Sequence, residues 1–263
     1  MLNRLLEFHD LAKQEARKYR DKRFLFSRLV AEQGRHFIGI VGARGTGKTV
    51  LLRQFALEHE HAFYLSADSL DHDDNAWEVI RSLNQHYGFQ TFLLDEIHFL
   101  PDHTALLKRL YDFVDIRVLF SSSVALAMQE SAHDLSRRVR LYTLHGFSFR
   151  EYLAFSHNIT LPKLNLEQLV AQKWAPEHLR AGRFFQGYLR GGVLPFALEE
   201  PEPLDFLKNI VDKVVSRDIP SVARRLLCRV PEAGQNTISV SEKHSRSQDP
   251  GLPDPGGGHE TGC

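Results

Sequence analysis

Gly42-Ala43-Arg44-Gly45-Thr46-Gly47-Lys48-Thr49 reads G-x-x-x-x-G-K-T, the spacing of a phosphate-binding loop. Phe37-Ile38-Gly39-Ile40-Val41 before it is a short apolar run of strand type, and Val50 to Leu57 after it has helical spacing. Strand, glycine loop and helix in that order are the context the motif requires. Gly42, Gly45 and Gly47 let the backbone curl and aim its N–H groups inward at phosphate oxygens. The helix starting near Lys48 adds the positive end of its dipole. Lys48 is expected to reach the β- and γ-phosphates as a point charge, and Thr49 to offer a hydroxyl to Mg2+. Ala43, Arg44, Thr46 and Val50 complete the expected nucleotide-contacting stretch. The alternative is an ordinary Gly-rich strand-to-helix turn.

Outward from this loop the chain alternates strand and helix signals. Strands are expected at 37–41, 61–66, 91–95, 117–121 and 139–144, with helices at about 48–59, 75–86, 103–113 and 124–135. That alternation predicts an α/β fold, a three-layer P-loop NTPase with a five-stranded, mainly parallel sheet. Residues 1–33 read as an N-terminal helical segment carrying a basic cluster, Arg17-Lys18-Tyr19-Arg20-Asp21-Lys22-Arg23. This cluster reads as a solvated helix face or a contact for phosphate or a partner. The P-loop core spans 34–156. Strand signals stop after Phe149: a helix at 149–156 closes the core, and a smaller helical lid is expected over 157–228, with helices at 165–173, 176–190 and 203–217. In the last of these, Phe206, Leu207, Ile210, Val211, Val214 and Val215 form an apolar stripe expected to pack on the core or a neighbouring helix. Residues 229–263 have few large apolar side chains and end in a Pro/Gly-rich run, so a disordered tail is expected.

The 263 residues are 43% hydrophobic and 25% charged, the profile of a soluble globular protein. A formal net charge of zero gives no general attraction to nucleic acid or anionic membrane. Two cysteines, Cys228 and Cys263, suggest neither a disulfide framework nor a zinc site. No apolar run approaches the ~20 residues of a membrane span. The N-terminus is unlike a signal peptide. A cytoplasmic protein is expected.

A second half of the site lies at Phe92-Leu93-Leu94-Asp95-Glu96, an apolar strand closing in two acids, a Walker B pattern. Asp95 is expected to hold Mg2+, often through water, and Glu96 to orient and polarise a water against the γ-phosphate. Strand 117–121 ends in Ser121-Ser122-Ser123. Ser121 is read either as a γ-phosphate sensor or as the start of a turn or helix cap. Arg137 and Arg138 precede the fifth strand. Either is read as an arginine finger, in its own or a neighbouring subunit, or as a surface arginine contacting carboxylates. The fourteen histidines show no ligand spacing and are read as surface or structural. No nucleophile-elbow sequence supports a Ser-His-Asp hydrolase.

These landmarks, followed by Leu144-His145-Gly146-Phe147-Ser148-Phe149-Arg150-Glu151-Tyr152-Leu153, resemble the prokaryotic AAA-type ATPases of the AAA_14 group, which commonly carry a C-terminal DUF4143 region. Tyr188 to Pro195 and Asp218-Ile219-Pro220 resemble later landmarks of the same group, so the resemblance covers roughly 20–227. It implies an ATP-binding, Mg2+-dependent ATP hydrolase that switches conformation against an unknown protein partner. The strand order 5-1-4-3-2 and catalytic roles for Lys48, Glu96, Ser121 and Arg138 are implied with it. A homo-oligomer is among the expected partners; nucleic acid and membrane are not. Ser122 stands where the group often has Gly. The tail from about Cys228 departs from the group, whose members continue, and is expected to be a truncation or frameshift product or a natural disordered tail. The alternative function is a nucleotide-binding regulatory or scaffold module that does not hydrolyse. The lack of an Asn-Lys-x-Asp run favours ATP over GTP.

Overall fold

The computed structural model describes residues 1–71, 74–100, 102–124, 135, 137–200 and 203–220. The tail expected at 229–263, and all but the ends of the helix expected at 124–135, lie outside the described residues. Five strands, β1 (Phe37–Val41), β2 (Ala62–Ser66), β3 (Thr91–Asp95), β4 (Arg117–Ser122) and β5 (Val139–Thr143), form one sheet in the order β2-β3-β4-β1-β5. Every pairing is parallel, so the sheet is wholly rather than mainly parallel. The order is the one the family resemblance implies.

Side chains alternate across the strands and divide the core into two layers. Phe37, Phe63, Phe92, Leu94, Val118 and Phe120 face α4 (Ala76–Tyr87) and α5 (His103–Phe113), meeting Ile80, Leu83, Leu107 and Leu110. Ile38, Ile40, Leu93 and Leu119 face α3 (Lys48–Glu58), meeting Leu51, Leu52 and Phe55. A parallel sheet buried on both faces needs near-continuous apolar strands, which accounts for Phe37–Val41 being buried throughout.

The N-terminal segment is two helices rather than one, α1 (Leu2–Ala16) and α2 (Phe24–Ala31). The break falls in the basic cluster. Arg23 takes an extended backbone (φ −55°, ψ 145°) and is buried instead of lying on a solvated helix face.

After β5 come α6 (Phe149–His157), α7 (Leu166–Val170) and α8 (Pro176–Arg180), then irregular helical turns to Gly192, a 3-10 turn at Pro195–Leu198 and α9 (Pro203–Lys213). Ser148 caps α6 in a capping box with Glu151. The expected helix over 176–190 is interrupted by a 3-10 turn at Ala181–Phe184 and a wide turn at Tyr188–Gly192, where Gly191 takes φ 156°. This segment folds back on the start of α6. The Tyr188 hydroxyl donates to the Phe147 carbonyl at 2.7 Å, and the Phe147 N–H donates to the Val193 carbonyl. The two family landmarks around 148–153 and 188–195 are thereby one packed unit, and it holds Pro195 and Phe196 against the glycine loop. The α9 stripe is only partly packed. Ile210 reaches toward Gly45, whereas Val211 and Val215 are more than half exposed.

Candidate functional site

The carboxyl ends of β1, β3 and β4 bring the expected residues together. The loop 42–47 leaves β1 and enters α3 through Gly47, which caps the helix in left-handed geometry (φ 88°); Gly45 is also left-handed (φ 80°). Gly42 is there for a different reason. A Cβ at Gly42 would collide with the Leu144 carbonyl in the loop after β5. The Thr46 hydroxyl closes the turn on the Ala43 carbonyl at 2.9 Å. The Lys48 ammonium lies against the carbonyls of Gly42 (2.8 Å) and Ala43 (3.1 Å).

Asp95, at the end of β3, is buried, and both its oxygens are engaged. The Ser121 hydroxyl donates to Oδ1, and the Tyr64 hydroxyl donates to Oδ2 at 2.7 Å. Ser121 Oγ also accepts from the Glu96 N–H at 2.9 Å. Ser121 therefore ties the ends of β3 and β4 together, its hydroxyl bridging Asp95 and the Glu96 backbone, and it lies within β4 rather than in a turn or helix cap.

Glu96 has a left-handed backbone (φ 50°), uncommon for a non-glycine residue and characteristic of functional sites. Its Oε2 accepts from the Ser123 N–H at 2.9 Å and lies 3.2 Å from His98 Nδ1. Burial opposes the charged form. Hydrogen bonding to His98 and the positive charge of Lys48 outweigh it, with the His98 charge and the Ser123 amide adding to them, and lower the Glu96 carboxyl to about 2.

A cavity of about 330 Å³ opens beside these groups. Arg44, Gly45, Gly47, Lys48, Thr49, Val50 and Glu96 are among its lining residues. Tyr19, Phe147, Phe155, Pro195, Phe196 and Leu198 add aromatic and apolar surface, interspersed with the charged Asp21, Arg23 and Glu199. Thr49, Asp95 and Glu96 offer hard oxygen donors, which suit Mg2+. Among the described residues no group of three or more His, Cys, Asp or Glu could hold a metal by itself.

Arg138 is not brought to this cavity. It precedes β5 at the amino end of the sheet, a strand length of roughly 16 Å from the glycine loop. There it forms a two-pronged pair with Asp112, both contacts at 3.1 Å. A finger role within its own subunit is therefore removed by the direction of β5, while the carboxylate-pair reading describes its contacts.

Three residues near the site escape the sequence reading. Tyr64 sits among ordinary strand residues, and nothing in the sequence separates it from a core aromatic. Arg23 is hidden in a basic cluster, yet it donates to the Thr46 carbonyl, to the His145 carbonyl (2.8 Å) and to Glu151 (2.9 Å). His98 is buried beside Glu96 and stacked on Phe99, and only its place two residues after the acidic pair could have marked it.

A family model described as an AAA domain, AAA_14, matches residues 34–153. The uncharacterized protein MJ1637 of Methanocaldococcus jannaschii is 27% identical over 243 residues, covering 81% of this chain and 48% of that protein. The chain thus spans about half the length of this curated relative. Among solved structures, the Walker-type ATPase PABY2304 of Pyrococcus abyssi aligns at 14% identity and a TM-score of 0.46, covering 78% of this chain and 76% of that one. The S. cerevisiae Hsp104–ADP complex aligns at 16% identity and a TM-score of 0.45, covering 82% and 33%.

Proposed function

We propose that this chain, whose residues 34–153 form an AAA domain of the AAA_14 family, binds ATP with Mg2+ and hydrolyses it to switch the segment 157–228 against a protein partner. The convergence of Lys48, Thr49 and Glu96 on one cavity carries the reading. Phosphates fit the end built from loop amides, the α3 N-terminus and Lys48. The base fits against the aromatic lining supplied by Tyr19, Phe147 and Phe155.

Lys48 would exchange the Gly42 and Ala43 carbonyls for phosphate oxygens. Glu96, held ionised, would orient water through a carboxylate oxygen. Mg2+, when bound, would neutralise charge on the phosphate oxygens. Thr49 and Asp95 would hold it, Asp95 through its remaining lone pairs. A switch is supported by Phe196, whose ring packs 3.0 Å from where a Cβ on Gly45 would stand. Phosphate seated on Gly45–Gly47 and the position of Pro195–Phe196 are in this way linked. Cytoplasmic location and assembly into a homo-oligomer belong to the same proposal.

The engagement of Glu96 Oε2 by the Ser123 N–H and His98 also favours a second reading, a module that binds nucleotide and does not turn it over. Phosphate release by the purified chain separates the two. Hydrolysis predicts release that Glu96→Gln lowers by ~10²–10⁴-fold. Glu96→Gln should retain binding of a fluorescent ATP analogue, and Lys48→Ala should weaken it. Release from the wild type no greater than from Lys48→Ala would reject hydrolysis.

A further inference from the structure

We infer that Tyr64 is a positioning residue for Asp95: its hydroxyl orients the carboxylate for Mg2+ and so sets the Mg2+ dependence of nucleotide binding. The inference rests on the nucleotide reading above and adds a residue to it. Tyr64 lies in the middle of β2, beside β3 in the parallel register that pairs Tyr64 with Leu93 and Ser66 with Asp95. Its side chain therefore has to run along the sheet face to reach Asp95, two positions further along, and it does so at 2.7 Å.

The tyrosine is held on every side. It is buried, its own N–H donates to His9 Nδ1 at 3.1 Å, and the Arg53 guanidinium stands 5.3 Å from its ring centroid. Arg53 is one helical turn from Thr49 on α3, so the same face of that helix carries the hydroxyl expected to meet the ion and the cation packed on Tyr64. A buried carboxylate with one donor could rotate about χ2. With Ser121 on Oδ1 and Tyr64 on Oδ2 it has one orientation, with one lone pair per oxygen left to point at the ion or its water. Mg2+ demands near-ideal octahedral geometry, so this orientation matters more for it than for a more tolerant cation.

The test uses Tyr64→Phe, which removes only the hydroxyl and keeps the ring. A fluorescent ATP analogue is titrated onto wild type and variant in EDTA, and then over a range of Mg2+ and, separately, of Ca2+. The expected result is an unchanged affinity in EDTA, with the Mg2+ concentration for half-maximal enhancement raised about 10-fold, the low end for loss of a partner to a metal-ligating group. Ca2+, which tolerates variable coordination, should be shifted less. In an Asp95→Asn background the same change should have no further effect. Equal Mg2+ dependence in wild type and Tyr64→Phe overturns the inference, as does a loss of affinity of the same size in EDTA, or a variant that does not fold by thermal melt. A wild type without any Mg2+ enhancement overturns the nucleotide–Mg2+ reading itself, and this inference with it.

Discussion

At Gly42 the sequence and the structure agree on the residue and differ on the reason. The motif demands glycine for a curled backbone, yet left-handed geometry occurs at Gly45 and Gly47, and Gly42 is constrained by the Leu144 carbonyl. Gly42→Ala should therefore destabilise the fold through steric displacement of the loop after β5, by roughly 1–3 kcal/mol. A urea melt reads the change. A midpoint equal to wild type would show that the loop gives way freely. Glu96 is the reverse case. Its acidity is legible beside Asp95, but its left-handed backbone is not, because the groups that meet it, Ser121 at the end of β4 and Ser123 just beyond, are distant in sequence.

Among the elements, strands and helices of the core were legible because apolar periodicity is strong where both faces are buried. α1 was legible as a helix, but its attachment was not. It covers the β2 edge with Leu5 in one core layer and Ala12 in the other, and with His9 accepting from the Tyr64 N–H. Burial, with help from Lys13 and against Asp10, lowers the His9 pKa from 6.5 to about 4. Between those values the unfolded chain binds a proton that the folded chain refuses, so stability falls as pH drops from 6.5 toward 4. The shift corresponds to at most about 3 kcal/mol. Urea midpoints measured across that range should fall more steeply for wild type than for His9→Gln, and parallel curves would remove His9 as the cause.

For the whole molecule, a buried long-range tie joins Arg23 to Glu151, 128 residues apart. Arg23 joins the break between α1 and α2 to the glycine loop at Thr46 and to the cap of α6 at Glu151. Burial alone would raise the Glu151 pKa; Arg23 and the Ser148 and Phe24 amides reverse that and lower it. Glu151→Gln leaves the guanidinium buried without its counter-charge, which should cost about 3–5 kcal/mol in a urea melt. An unchanged midpoint would mean that the carbonyls of Thr46, His145 and Gly146 suffice to hold Arg23. The Ser148–Leu153 motif, legible in the sequence only as a family mark, thus acquires a physical role. It anchors the cation that braces the glycine loop and the unit that lays Phe196 on it.

The sequence by itself determined the α/β class, the strand positions, and the glycine loop with Lys48, Thr49, Asp95 and Glu96. These are set by local spacing and by periodicity, which survive in one dimension. Tertiary structure alone decided that Tyr64 and Ser121 share Asp95, that Arg23 is buried rather than solvated, and that Arg138 lies at the far end of the sheet. Each of these depends on side-chain contacts between segments distant in the chain, which leave no pattern in the order of residues.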